Sequence, residues 1–261
     1  MYFNVIKNLD IDPSSLNDPI FLIGWPGISL VGKLAITSIR DSIKAEKCLT
    51  IEYFDFPAKS IVNKGNLKIP KARVYYRSRE PNDLFILTAK FQPQNPEGVF
   101  DFAKQFCDYM HKITEGKISM YVSAGALVSE KIEDEPLVHV CGTDAELVTS
   151  FLEYEHSQIM ENGVIAGANG ILPTWAGEKG FAPGICLLAE TLPPLPMMNI
   201  DPRASKALVN ILKDYLKIDM NFDELDKKIE EMEEAFEAFR KQADYIMKGG
   251  RPDKGTDSYF R

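Results

Sequence analysis

No stretch of this sequence approaches the roughly 20 consecutive apolar residues that a bilayer-spanning helix needs, so no membrane segment is expected. Met1 to Pro19 lacks the apolar core of a secretory signal. Cysteine is sparse. Cys48, Cys107, Cys141 and Cys186 stand far apart with no C-x-x-C pair, which argues for free thiols in a reducing cytoplasm. The three histidines, His111, His139 and His156, have no metal-ligand spacing with one another or with cysteine. The acidic loop Glu133-Asp134-Glu135 reads as solvated charge, and neither metal nor cofactor is expected. Lys and Arg form no uninterrupted run in a chain of net charge −8, which argues against nucleic acid as a partner. Ser123 and Ser129 make no G-x-S-x-G elbow, and no Ser/His/Asp order stands out.

What is present is a globular composition, 45% hydrophobic and 26% charged, in 261 residues: enough for one large domain with an appendage. Short apolar runs alternate with segments of helical period, which predicts an α/β fold with a mainly parallel, mixed sheet covered on both faces. Strands are expected near Tyr2–Ile6, Phe21–Ile23, Cys48–Phe54, Leu84–Ala89, Ser119–Ala124, His139–Thr143, Val164–Gly167 and Ile185–Glu190. Pro57–Arg79 reads as a β-hairpin-like insertion turning at Asn63–Asn66. Helices are expected over Ser29–Ile43, Glu97–His111 and Ala145–Phe151, and from Asp201-Pro202, where Asp caps the helix and Pro opens its first turn.

Two glycine-rich turns are candidate ligand loops. The first holds Gly24, Pro26, Gly27 and Gly32, the second Gly167, Asn169 and Gly170. A strand-to-helix turn can point backbone N–H groups at an anion. The first loop has neither Walker nor dinucleotide spacing, so a ligand-free tight turn is the competing reading. Two such loops meeting at one crevice would suit a nucleotide- or phosphate-binding enzyme; nothing in the sequence places them together.

From Phe222 the pattern changes. Leu225, Ile229, Met232, Phe236, Phe239, Ala243 and Ile246 are spaced alternately by four and three residues, the seam of a helix that packs on another helix. A lone helix of this length is marginal in water, so the seam needs a partner, either the body of the chain or a second subunit; a subunit contact is the reading taken. The expected organisation is an α/β domain over 1–219, an oligomerisation helix over 220–248 and a flexible tail over 249–261. That tail runs through Gly249–Ser258 to Tyr259-Phe260-Arg261.

Gly24-Trp-Pro-Gly-Ile-Ser-Leu-Val-Gly32, Gly167-Ala-Asn-Gly-Ile-Leu-Pro173, Leu187-Leu-Ala-Glu-Thr191 and the Asp201-Pro-Arg-Ala-Ser-Lys-Ala-Leu helix start occur in this order. Together they make the chain resemble the proteasome assembly chaperone two family, in particular its archaeal members. The resemblance implies a three-layer αβα fold similar to nucleoside phosphorylases but without their catalytic residues. It also implies a non-enzymatic, cytoplasmic chaperone or activator that forms a homo-oligomer (dimer, trimer or tetramer). Its partner would be the α-subunits of the 20S proteasome, engaged through Tyr259, Phe260 and Arg261. Proteasome activators end in hydrophobic–Tyr–any residue; here Phe260 keeps the ring and lacks the hydroxyl. The ATP-grasp label carried by some relatives finds neither Lys-bearing strands nor a metal-binding acidic pair here, although an ATP-grasp-like or phosphorylase-like enzyme stands as the alternative.

Overall fold

The structure is a computed structural model that describes residues 2–130, 135–193, 200–223, 225–232 and 234. Among the described residues, strands and α-helices follow one another in the order β1 (Phe3–Lys7), β2 (Ile20–Gly24), α1 (Val31–Ser42), β3 (Glu46–Tyr53), β4 (Ile61–Asn63), β5 (Asn66–Lys68), β6 (Ala72–Arg77), β7 (Leu84–Ala89), α2 (Pro96–Ile113), β8 (Met120–Val128), β9 (Val138–Gly142), α3 (Ala145–Leu152), β10 (Ser157–Ile159), α4 (Ala168–Glu178), β11 (Gly184–Thr191) and α5 (Pro202–Tyr215). Residues 225–232 are also helical. Nine strands form one sheet in the order β1-β3-β6-β7-β2-β8-β11-β9-β10, while β4 and β5 form a separate two-stranded ribbon.

The sheet is evenly mixed rather than mainly parallel. β7, β2, β8 and β11 make a parallel centre. On one side β1, β3 and β6 are joined antiparallel; on the other β9 runs antiparallel to β11 and parallel to β10. The link from β6 to β7 is the physical reason. It spans six residues, too few for the crossover that a parallel pair requires. The insertion therefore shrinks to β4 and β5, because Arg73–Arg77 belongs to the main sheet.

Helices cover both faces, giving three layers. Alternation along β2 divides its side chains between two cores, with Phe21 and Ile23 in one and Ile20 and Leu22 in the other. The first core includes Phe102 and Phe106 of α2 and Leu172 of α4. Phe21 links β2 to both of its neighbours and to α2, its ring 5.2 Å from Tyr121, 5.4 Å from Phe106 and 5.9 Å from Phe85. The second takes Ile36 and Ile39 of α1, Phe151 of α3 and Leu208 of α5. Each large side chain so buried contributes roughly 1.5–3 kcal/mol of transfer free energy.

One sequence expectation fails outright. Val164–Gly167 is not a strand: Val164 is almost wholly exposed and α4 begins at Ala168, taking in the whole Asn-Gly-Ile-Leu-Pro run. Pro173 sits inside that helix and cannot donate to the carbonyl four residues back, that of Asn169. The Cys186 thiol donates to that oxygen instead, at 3.6 Å. A short strand with little sequence signature, β10, lies at the sheet edge.

Candidate functional site

The two glycine-rich turns meet at the carboxyl ends of the parallel strands, the usual ligand position in an open α/β sheet. Their glycines have different tasks. Gly32 lets α1 lie directly on β8, for a Cβ there would stand 1.8 Å from the Ala124 carbonyl oxygen. Gly24 admits Ile36, whose Cβ would be 2.6 Å away. Gly167 adopts φ 78°, and Gly170 packs on the Ile165 carbonyl. Gly27 alone is exposed, with only the Asn169 amide near the place of a Cβ, at 3.7 Å.

Two side chains hold the loops together. Buried Asn169 accepts from the Trp25 backbone N–H at 3.2 Å through Oδ1. Gln92, from the loop after β7, donates to the Pro26 carbonyl and accepts from the Ala168 N–H at 3.1 Å. Four backbone donors of the two turns are thereby engaged within the chain. Trp25 N–H and Ala168 N–H go to these side chains; Gly170 N–H and Ile171 N–H go to the Gly167 carbonyl at 3.2 and 3.1 Å. The arrangement acts as a latch between β2 and α4. Gln92 carried no signal in the sequence, since a glutamine in a proline-rich loop has no preferred role.

Past Gly27 the chain is also constrained. Ser29 and Leu30 adopt left-handed φ of 46° and 50°, an unusual conformation that the start of α5 braces. The Asp201 N–H donates to the Ser29 carbonyl at 2.9 Å, and the Ser205 hydroxyl to the Val31 carbonyl at 3.1 Å. Lys33 is half-buried nearby, and its pKa is lowered by desolvation and by Lys90 and Arg40.

Buried carboxylates are occupied in structural work. Asp83 accepts from the backbone N–H groups of Asn17 and Arg79 and from the Tyr76 hydroxyl at 3.1, 3.0 and 2.8 Å. Asp55 takes the Asn95 N–H and side-chain amide. Asp201 caps α5 through the N–H groups of Arg203 and Ala204 and accepts from Thr191. Among the described residues no group of three His, Cys, Asp or Glu side chains is arranged to hold a metal ion. His139 lies 3.2 Å from Glu190, and His111 stacks on Phe181. His156 pairs with Glu135.

The heptad seam begins on the body. Leu225 is buried in the second core, while Ile229 and Met232 are half-buried. Where this helix meets α1 there is a cleft of 360 Å³, lined among others by Leu34, Thr37, Leu225 and Lys228. Phe236, Phe239, Ala243, Ile246, Tyr259, Phe260 and Arg261 lie outside the described residues.

Comparison with known proteins agrees with this architecture. The profile of the PAC2 family matches residues 21–240. The uncharacterised protein MJ1210 of Methanocaldococcus jannaschii is 29% identical over 255 residues, 98% of this chain and 95% of its own. The crystal structure of Pyrococcus furiosus PbaB, an archaeal proteasome activator, superposes with a TM-score of 0.82 at 25% identity, covering 91% of this chain and 98% of PbaB. PbaA of the same organism, an archaeal homolog of proteasome-assembly chaperone, shares the fold with a TM-score of 0.73 at 23% identity over 95% of each chain. On the extent of the profile match, this chain belongs to the PAC2 family.

Proposed function

We propose that this protein is a non-enzymatic chaperone or activator of the 20S proteasome. It engages the α-ring through Tyr259-Phe260-Arg261 and acts as a homo-oligomer. The observation that carries the reading is the near-complete overlap with PbaB, a proteasome activator, at a TM-score of 0.82. The loop latch supports it, because Asn169 and Gln92 occupy backbone donors that a phosphate-binding enzyme would leave free for its ligand. The fold belongs to the same reading: a nucleoside-phosphorylase-like scaffold without that chemistry. Among the described residues no helix is long and apolar enough to cross a membrane, which suits a cytoplasmic partner.

In this account the α/β body is a platform and the tail is the contact. The ten residues from Gly249 to Ser258 extend at most about 30–35 Å, so a tail reaches a pocket that distance from its helix. Several tails on one oligomer raise apparent affinity without a new contact, which compensates for the hydroxyl missing from Phe260. Pull-down of an archaeal 20S particle tests the proposal. Full-length protein retains the particle and a chain lacking Tyr259 to Arg261 loses it; equal retention by both removes the tail from the account.

A further inference from the structure

Lys and Arg form no uninterrupted run in this chain, yet two of its segments carry charge of one sign only, and the fold sets them apart along the sheet. Between residues 57 and 79 there are seven Lys or Arg and no Asp or Glu; between 135 and 178 there are seven Asp or Glu and no Lys or Arg. The basic segment is the β4–β5 ribbon together with β6, third from one edge of the sheet. The acidic segment comprises β9, α3, β10, the loop into α4 and α4 itself, with β9 and β10 as the last two strands at the other edge. Five strand spacings separate β6 from β9, about 24 Å.

Each end carries apolar surface beside its charge. On the ribbon Val62 and Leu67 are cross-strand partners, hence on one face, and Leu67 and Ile69 share that face by the two-residue period. They are 67%, 71% and 56% exposed. Lys59 precedes the ribbon, Lys64 lies in its turn and Lys68 projects from its other face, all exposed. A two-stranded ribbon with an uncovered apolar face is marginal by itself in water. At the opposite edge Val164 is 93% and Ile159 51% exposed, and the six carboxylates from Glu135 to Glu161 are exposed, as is the seventh, Glu178, at the end of α4. Among the described residues their side-chain ion pairs include no lysine or arginine; Glu135 pairs with His156.

We infer that these two ends bind each other between copies of this chain: the basic, apolar β4–β5 ribbon of one subunit docks on the acidic β9–α3–β10 edge of the next. The occupant is a second copy because the complementary charge and the complementary apolar side chains are both present on this molecule, too far apart to meet within it. The contact is head-to-tail, so it propagates until the rotation between neighbours closes a ring. Apolar side chains at the centre with charges around them match the core and rim of a protein interface, with the charges setting orientation. This contact is independent of the C-terminal helix and of proteasome binding.

Paired charge reversal tests the inference. Lys64→Glu/Lys68→Glu and, separately, Glu153→Lys/Glu155→Lys change exposed positions only, and circular dichroism checks the fold of each. By light scattering each variant falls to a smaller mass at a concentration where the unaltered chain is associated, and mixing the two restores the larger mass. A zero-length carbodiimide cross-linker joins lysines of 59–71 to carboxylates of 135–161, a link that spans two chains given the separation within one. Unchanged mass in both variants, or failure of the mixture to reassociate, overturns the contact. A monomeric unaltered chain that binds anionic vesicles or nucleic acid through Lys64 and Lys68 likewise overturns it and assigns the ribbon to that surface. A failed proteasome pull-down leaves these masses and cross-links unchanged, so the two proposals fail separately.

Discussion

The Trp25 backbone N–H and the Asn169 side-chain oxygen, 144 residues apart in sequence, are 3.2 Å apart in the fold. That bond closes β2 onto α4, and the carbonyl of the same Asn169 accepts the Cys186 thiol in place of the N–H that Pro173 lacks. The Asn169 side chain and the Cys186 thiol thus each satisfy a backbone group of the glycine-rich turns, the Trp25 N–H and the Asn169 carbonyl.

Asn169→Ala removes the acceptor and leaves a buried N–H unpaired. The expected loss is about 1–3 kcal/mol in urea unfolding, with the slope of the transition unchanged. A loss below a few tenths of a kcal/mol would mean that the latch is not under load.

Gly32 and Gly27 belong to the same turn and should respond oppositely. Gly32→Ala drives a methyl into the Ala124 carbonyl, so it should abolish soluble expression or cost several kcal/mol. Gly27→Ala meets only the Asn169 amide, at 3.7 Å, and should change stability by less than about 0.5 kcal/mol. Equal sensitivity at both positions would point to a ligand contact at Gly27.

These turns also show what was legible. Their existence and the helix opened by Asp201-Pro202 follow from local signals, a buried apolar run ending in Gly and Pro and a capping side chain with Pro at the first turn. The helical start at Ala168 was hidden. Val164-Ile-Ala resembles a strand, and Pro173 resembles a stop until the thiol of Cys186, supplied from β11, answers the freed carbonyl. Strand directions at the sheet edges were equally hidden apart from the six-residue link between β6 and β7, because pairing is decided by residues far apart in the chain. Leu225 fits a heptad seam and a body core alike, and only the tertiary contacts assign it to the core.

Leu225 and the later seam positions should therefore separate. Leu225→Ala opens a cavity in the second core and should cost about 2–5 kcal/mol in unfolding of the body. Phe236→Glu with Phe239→Glu should reduce the oligomer mass while the body melts as before. An unchanged mass would remove those two positions from subunit contact.

Glu52 joins β3 to its neighbours on the sheet edge. Lys71 chiefly, then the hydroxyl of Tyr2 and the amide of Asn4, hold its carboxyl at about 2, well below the usual range. A depressed carboxylate stabilises the fold above its unfolded-state pKa, and that contribution is lost as the pH falls through the folded value. The loss should accordingly run from about pH 4.5 down to about pH 2. Lys71→Ala should raise the Glu52 pKa in an NMR titration. An unmoved pKa would give the shift to Tyr2 and Asn4 alone.

Thiol reactivity should follow burial. Cys48 is pushed up to about 12 by desolvation, and Cys107 is raised further by the same cause. Cys141 is half-exposed and lowered by hydrogen bonding with Cys186. In the native protein at pH 8 one thiol, Cys141, should react rapidly with a disulfide reagent, and Cys141→Ser should abolish that phase. Rapid modification of Cys48 would show that the first core opens.

The central claim is that the family's body carries a tail that docks on the proteasome, and cryo-electron microscopy of the full-length protein mixed with an archaeal 20S particle tests it most directly. The account predicts density for Tyr259-Phe260-Arg261 in pockets between adjacent α-subunits, absent when those three residues are deleted. Bare α-rings at saturating protein, or contacts made by the α/β body with the pockets empty, would contradict it.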